Sequence, residues 1–509
     1  MRIQKLALYT MLLLSFGAKA IAQDFLTTSN QKFIDHEGNQ IILHGINYVN
    51  KSAKVDQKQF SNPENFQLMK KWGLNCLRLG VIWAGVEPQP GIYDEEYLKD
   101  LDKQVKWAND NGIYVFLDMH QDLYSQLYSD GAPEWATLTD GQPHIAEGPV
   151  WSDAYFTSPA VKTAITNFWE NKAASDNVGV QDHYIKMWKM LAKRYAGNSS
   201  VIGFDLINEP NLGWGNSKGR ELMAIAFIEA YAKKSGIVLT GEEVTQKWLD
   251  PVGKKEILEF ISDRSIYAQL VDRMFPVYQA FEKEQLMPFY KKTVKAIREV
   301  NQDHLIFLET SMSSNMGVYT AIERIPNEDG LVYAPHGYDL VVDTPDAATT
   351  NNNRINFIFN RHAESAKRLK MPLLIGEWGA FGANGKALSS AFQVTQFFES
   401  SLCGETYWSF DKRLDDSELL KAISRAYPKK IAGELTSYST DVENGKAEFR
   451  WLESTKDNSQ IYIPKFYNLE ESTITLKPYE KGFELVEIDG GWHINIPSAL
   501  KARKLTINP

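Results

Sequence analysis

The chain has 509 residues, a formal net charge of −9 at pH 7 and a pI of about 5.6; 43% of residues are hydrophobic and 23% charged. That is an ordinary globular balance, long enough to bury a large core without staples. No long basic run is present, which excludes nucleic acid as the main partner, because phosphate binding needs clustered Lys and Arg. The two cysteines, Cys76 and Cys403, are too few for a metal cluster or a disulfide framework; two buried thiols or one disulfide remain open.

At the N-terminus, Arg2 and Lys5 precede an apolar run from Leu6 to Phe16, followed by Ala18, Ala20 and Ala22. This charged, apolar, small-residue order predicts a secretory signal peptide over 1–22. The run is short for a bilayer span, so a secreted protein is expected, periplasmic or extracellular if the source is bacterial.

From residue 33 to 410, short β-rich runs alternate with amphipathic ones. Strands are predicted at Ile41–Leu43, Leu77–Leu79, Ile113–Asp118, Val201–Ile207, His304–Leu308, Leu331–Ala334, Leu373–Ile375 and Thr406–Ser409. Helices are predicted over 62–72, with Asn62 as cap and Pro63 at the first position, over 94–112 and over 180–196. Eight strand–helix units predict an α/β fold, a (β/α)8 TIM barrel over 23–424, with its site at the C-terminal ends of the strands. The stretch near 215–300 exceeds one crossover. It reads as an insertion of helices 216–235, 253–272 and 277–300 with a break at Thr240–Glu243, either over the active-site face or as embellishment. Past Asp411 the texture becomes short alternating runs separated by turns such as Asp489-Gly490-Gly491. This predicts a small C-terminal all-β sandwich over 425–509, a binding module or a buttress.

Two motifs carry chemistry. Asp205-Leu206-Ile207-Asn208-Glu209-Pro210 ends an apolar run, and Pro210 keeps Glu209 out of helical geometry. Leu374-Ile375-Gly376-Glu377-Trp378-Gly379 again places a glutamate at the end of a β run. Glycosidic cleavage needs such a pair, one carboxyl to protonate the leaving oxygen and one to attack the anomeric carbon.

These motifs resemble the clan A glycoside hydrolases, and within them glycoside hydrolase family 5, over about residues 40–411. The resemblance implies that Glu209 is the acid/base and Glu377 the nucleophile. It places Asn208, His120, His336, Tyr338 and Trp408 around the sugar, with His44 and Arg78 in support. Asp118-Met119-His120-Gln121-Asp122 and Asp130-Gly131-Ala132-Pro133-Glu134-Trp135 resemble the endoglycoceramidase branch. That finer likeness implies a glycosphingolipid substrate, with Lys51 and Asp122 gripping the sugar, Trp151 as a further platform, and apolar residues of the insertion walling a ceramide slot. A glycolipid substrate calls for transient membrane or micelle contact; the histidines lack ligand spacing and the chemistry needs no metal or cofactor, so neither is expected, and a monomer is. The rival readings are another family 5 β-glycosidase and, more remotely, a non-catalytic carbohydrate-binding protein.

Overall fold

Strands buried on both faces read as continuous apolar runs, and Cys76–Ile82 is buried at every residue. It is the second of eight parallel barrel strands among the residues described by the computed structural model, which are 25–56, 59–148, 150–342, 344, 346–347 and 350–509. The predicted signal peptide lies outside them. The other strands are His44–Tyr48, Tyr114–His120, Val201–Asp205, Leu305–Leu308, a sixth in two pieces (Leu331–Tyr333 and His336–Gly337), Leu374–Gly379 and Gly404–Trp408. Neighbours pair in parallel in chain order, and the eighth returns to the first. The sixth strand breaks at Pro335, which has no N–H to give to a ladder. Its first piece pairs with the fifth strand and its second with the seventh, closing the barrel.

Local signals set the surrounding helices. Asn62 caps Pro63–Lys71, and Asp94 accepts the N–H groups of Glu96 and Tyr97 to cap Glu95–Asp110. The first barrel strand corrects the sequence expectation. It starts at His44, beyond Ile41–Leu43, and Gln40–Ile41 pairs instead with Tyr427–Ile431 of the C-terminal domain. An apolar run suits a barrel or a sandwich equally, so periodicity could not separate them.

The insertion comprises Asn216–Ser235, Gly241–Leu249, Pro251–Phe260 and Arg264–Phe281, the last running through a π-helical turn, Glu282–Leu286, into Met287–Arg298. Two boundaries differ from expectation. Thr240 and Glu243 form a capping box that starts a helix rather than a break, and Asp263 caps a new helix inside the expected 253–272 span. Arg264–Phe281 also passes through Pro276, with Met274 and Tyr278 buried on either side.

The C-terminal part folds as two antiparallel sheets of seven and four strands. The larger includes the N-terminal strands Thr27–Ser29, Lys32–Ile34 and Gln40–Ile41, so the sandwich is built from both ends of the chain. Phe449, Trp451, Ile461, Ile494 and Leu505 form its core. Arg425 ties it to the barrel, donating to Tyr438 Oη at 2.9 Å and pairing with Glu405 at 3.2 Å. Cys76 and Cys403 are free and buried.

Candidate active site

The barrel brings the two predicted glutamates together. Glu209 follows the fourth strand and Glu377 lies within the seventh. A carboxylate oxygen of each lies within 4.8 Å of the other and of a His336 ring nitrogen. Glu209 has φ +44°, a left-handed conformation that a non-glycine residue adopts at a cost. Its N–H donates to Glu309 Oε2 at 2.8 Å.

Arg78, fully buried on the second strand, organises the floor. Its Nη1 donates to Glu377 Oε1 at 2.6 Å and to Asn47 Oδ1 at 3.1 Å, and its Nη2 to Glu309 at 2.7 Å and Asn208 Oδ1 at 3.0 Å. Asp205 accepts from Nε at 3.0 Å, and Asp118 lies 2.9 Å from Nη2. Asp118, Asp205 and Glu309 are close enough to gather round a cation, but the guanidinium already stands among them. Burial drives the Asp205 carboxyl well above the usual range, Glu309 adds to this, and Arg78 opposes it. A buried charge is tolerated only when paired and hydrogen-bonded, and here one cation serves several acids.

Tyr338 Oη donates to Glu377 Oε2 at 2.8 Å, so both nucleophile oxygens hold a donor. Burial pushes this carboxyl up to about 7, against the pull of the His336 and Arg78 cations. His336 sits among three glutamates: Nδ1 is 2.9 Å from Glu209 and 3.5 Å from Glu377, and Nε2 is 3.2 Å from Glu309. Burial disfavours its cation, but Glu309 and Glu377 outweigh that and hold it well above the ordinary histidine value.

The sugar-facing wall lies across the cleft. Lys51 Nζ bonds Asp122, lies 3.8 Å from Asp130, and sits over the rings of Trp408 and Trp151 at 5.1 and 5.5 Å. Burial works against its ammonium, but Asp122 and Asp130 hold it up. His120 stacks on Trp408 with centroids 5.1 Å apart and bonds Asp118 at 2.8 Å. Burial lowers its basicity, but Asp118 outweighs this and carries it to about 10.

The carboxyls open into a cavity of about 390 Å³. Its lining joins polar side chains, Lys51, Asp122, Asn208, Arg220 and Asp339, and the catalytic pair to apolar ones, Met223, Trp248, Met274, Met312, Met316 and Leu340. Met223, Trp248 and Met274 come from the insertion, which therefore lies over the active-site face.

Of the predicted site residues, Lys51, His120, Asp122, Trp151, Asn208, Glu209, Tyr338, Glu377 and Trp408 line this cavity, Arg78 and His336 are buried beneath it against the glutamates, and His44 does not reach it. That histidine stands at the start of the first strand, level with Glu405, whose carboxylate it binds. Glu405 also accepts Trp378 Nε1 at 2.6 Å, so His44 supports the strand carrying Glu377 from below. Asn47, not His44, is level with Arg78. Sequence reasoning missed Asn47, Asp118, Asp130, Asp205, Glu309 and Asn315. Glu309 follows an apolar strand, the same signal that picked out Glu209 and Glu377.

Two facing carboxyls at the C-terminal end of a (β/α)8 barrel, with an arginine and a tyrosine on one and aromatic rings beside them, define a glycoside hydrolase. The chain belongs to glycosyl hydrolase family 5: residues 34–413 match "Cellulase (glycosyl hydrolase family 5)" and residues 425–494 match "Glycoside hydrolase family 5 C-terminal domain". It is 30% identical over 511 residues to "Endoglycoceramidase I" of Rhodococcus hoagii, covering 95% of this chain and 85% of that one. It is 25% identical over 482 residues to "Endoglycoceramidase" of Hydra vulgaris, covering 85% and 79%. The solved structure of "Endo-glycoceramidase II from Rhodococcus sp." in complex with a five-membered iminocyclitol superposes with a TM-score of 0.71 at 25% identity, over 95% of this chain and 100% of that one.

Proposed function

We propose that this protein is a secreted, retaining endo-β-glycosidase that releases the intact glycan of a glycosphingolipid from its ceramide. The observation that carries the reading is the mixed lining of the cavity at the carboxyls, which joins charged and aromatic side chains such as Lys51, Asp122 and Trp408 to a set of methionines, Met223, Met274, Met312 and Met316. An oligosaccharide suits the first and hydrocarbon the second. Relatives named endoglycoceramidase match over most of their length.

The mechanism follows from the geometry. Glu377, with Arg78 and Tyr338 on its oxygens, attacks the anomeric carbon as a carboxylate. Glu209 gives its proton to the departing ceramide oxygen. Oxygens of the pair come within 4.8 Å of each other, on the side of the short carboxyl spacing of retaining enzymes and away from the wide gap that inverting ones keep, which fits a covalent intermediate. Water then enters from the Glu209 side, loses its proton to Glu209, and displaces Glu377.

Contact with the lipid surface falls to the insertion. Six of the thirteen large apolar side chains exposed among the described residues lie between 214 and 252: Trp214, Ile225, Ile237, Val238, Leu249 and Val252. The same stretch supplies Met223 and Trp248 to the slot, so a surface holding the substrate would meet both together. Among the described residues no helix is long and apolar enough to cross a membrane, and seating these side chains in the interface gives reversible contact.

The test is digestion of a ganglioside, lactosylceramide, galactosylceramide and a soluble β-glucan, with products identified by mass. Intact oligosaccharide plus ceramide is expected. Monosaccharide release, or cleavage of the glucan alone, would remove the glycolipid specificity and leave the two-glutamate chemistry.

A further inference from the structure

General acid catalysis requires the proton to sit on the carboxyl oxygen that faces the leaving group. A carboxyl has two equivalent oxygens, and its surroundings must choose between them. Around Glu209 they do. Oε1 receives Asn315 Nδ2 at 2.6 Å and His336 Nδ1 at 2.9 Å. The cationic His336 has N–H on both ring nitrogens, so both neighbours of Oε1 are donors. A proton on Oε1 would point at one of them, whereas Oε2 carries no such obstacle.

Glu309 backs this arrangement from three directions. Its Oε1 faces His336 Nε2 at 3.2 Å, an ion-pair contact out of hydrogen-bond alignment, which favours the imidazolium. The same oxygen accepts Arg78 Nη2 at 2.7 Å. Its Oε2 accepts the backbone N–H of Glu209, holding the left-handed turn that aims the side chain. Asn315 comes from the loop after the fifth strand. Glu282, fully buried on the π-helical turn, accepts the N–H of Ser311 at 2.9 Å and the Thr320 hydroxyl at 2.9 Å, gripping that loop at both ends.

We propose that Asn315 and Glu309 are positioning residues for the proton-transfer steps: they make Oε1 of Glu209 an acceptor only and consign the transferable proton to Oε2. In the first step the Oε2 proton passes to the glycosidic oxygen as the anomeric C–O bond breaks and the bond to Glu377 forms. In the second, Oε2 takes a proton from water as the water oxygen bonds to the anomeric carbon and Glu377 leaves. The inference rests on Glu209 being the acid/base.

The test measures kcat/KM for a series of aryl and alkyl β-lactosides of graded leaving-group pKa, in the wild type, Asn315→Ala and Glu309→Gln. Asn315 is half-buried at the cavity wall, so its truncation leaves the fold intact and keeps the test valid if Glu309→Gln is unstable. General acid assistance contributes about 10²–10⁴-fold. Measured above the acid limb, where Glu377 stays ionised, loss of part of it should lower hydrolysis of alkyl lactosides by roughly 10- to 100-fold and spare the 2,4-dinitrophenyl lactoside, steepening the leaving-group dependence. An equal fall for every leaving group, or none, overturns the proposal. Glu209→Ala with added azide separates this from the assignment beneath it: formation of the glycosyl azide upholds Glu209 as acid/base whatever Asn315 does, and failure to form it removes both.

Discussion

Tyr338→Phe removes one oxygen atom and asks what keeps the nucleophile ionised. In the wild type the tyrosine hydroxyl donates to Glu377 Oε2 at 2.8 Å while burial has already pushed this carboxyl up to about 7. A hydrogen bond to a charged group contributes about 1.5–3 kcal/mol, and one pH unit corresponds to about 1.4 kcal/mol. The sign is fixed: the hydroxyl stabilises the carboxylate, its loss favours the acid form, and the acid limb of the rate profile moves to higher pH. The expected movement is about one to two pH units. Below the limb, kcat/KM falls by about 10- to 100-fold; well above it the two proteins converge. The assay is kcat/KM for 2,4-dinitrophenyl β-lactoside between pH 4 and 9, because that leaving group needs no proton and only the acid limb is seen. A uniform fall at every pH with an unmoved limb would refute the claim that Tyr338 acts through the charge on Glu377.

His336→Gln should move the same limb upward, since His336 is the leading group opposing protonation of Glu377; a limb moving down would reverse the electrostatics drawn here. Met223→Asp places a charge among the cavity's apolar side chains and should depress lactosylceramide hydrolysis at least 10-fold while sparing aryl lactosides, and equal loss on both would remove the ceramide slot. Val238→Asp with Val252→Asp should slow hydrolysis of substrate in vesicles and leave the same substrate in detergent micelles less affected; vesicle flotation of the two proteins checks the cause. Arg425→Met strips the buried Glu405 of its link to the sandwich and should cost about 3–5 kcal/mol in denaturant unfolding, the usual effect of breaking one side of a buried pair. A change under about 1 kcal/mol would show the junction to be dispensable.

The catalytic pair was readable because its signal is local: an acid directly after an apolar strand, in a chain whose strand–helix rhythm closes a barrel. Arg78, His336 and Tyr338 needed the family resemblance, since no spacing in the chain connects residues brought together from different strands. Glu309 carried the same local signal as Glu209 and was passed over because glycosidic cleavage asks for two carboxyls; only the folded ring shows why a third stands behind them. Asn315 gave no signal at all, being a polar residue in a serine-rich loop. The first strand was misplaced because Gln40–Ile41 and His44–Tyr48 are both buried and adjacent, yet belong to different sheets. That the N-terminal strands complete the C-terminal sandwich is a pairing between the two ends of the chain, and hydrophobic pattern holds no record of it.

The most direct test of the central claim is mass analysis of the protein after incubation with an activated 2-deoxy-2-fluoro β-lactoside, which slows turnover of a covalent intermediate more than its formation. The account predicts one lactosyl adduct per chain, located by peptide mapping on Glu377 and absent from Glu377→Gln. An adduct on another residue, or stoichiometric hydrolysis with no adduct and inverted product, would contradict it.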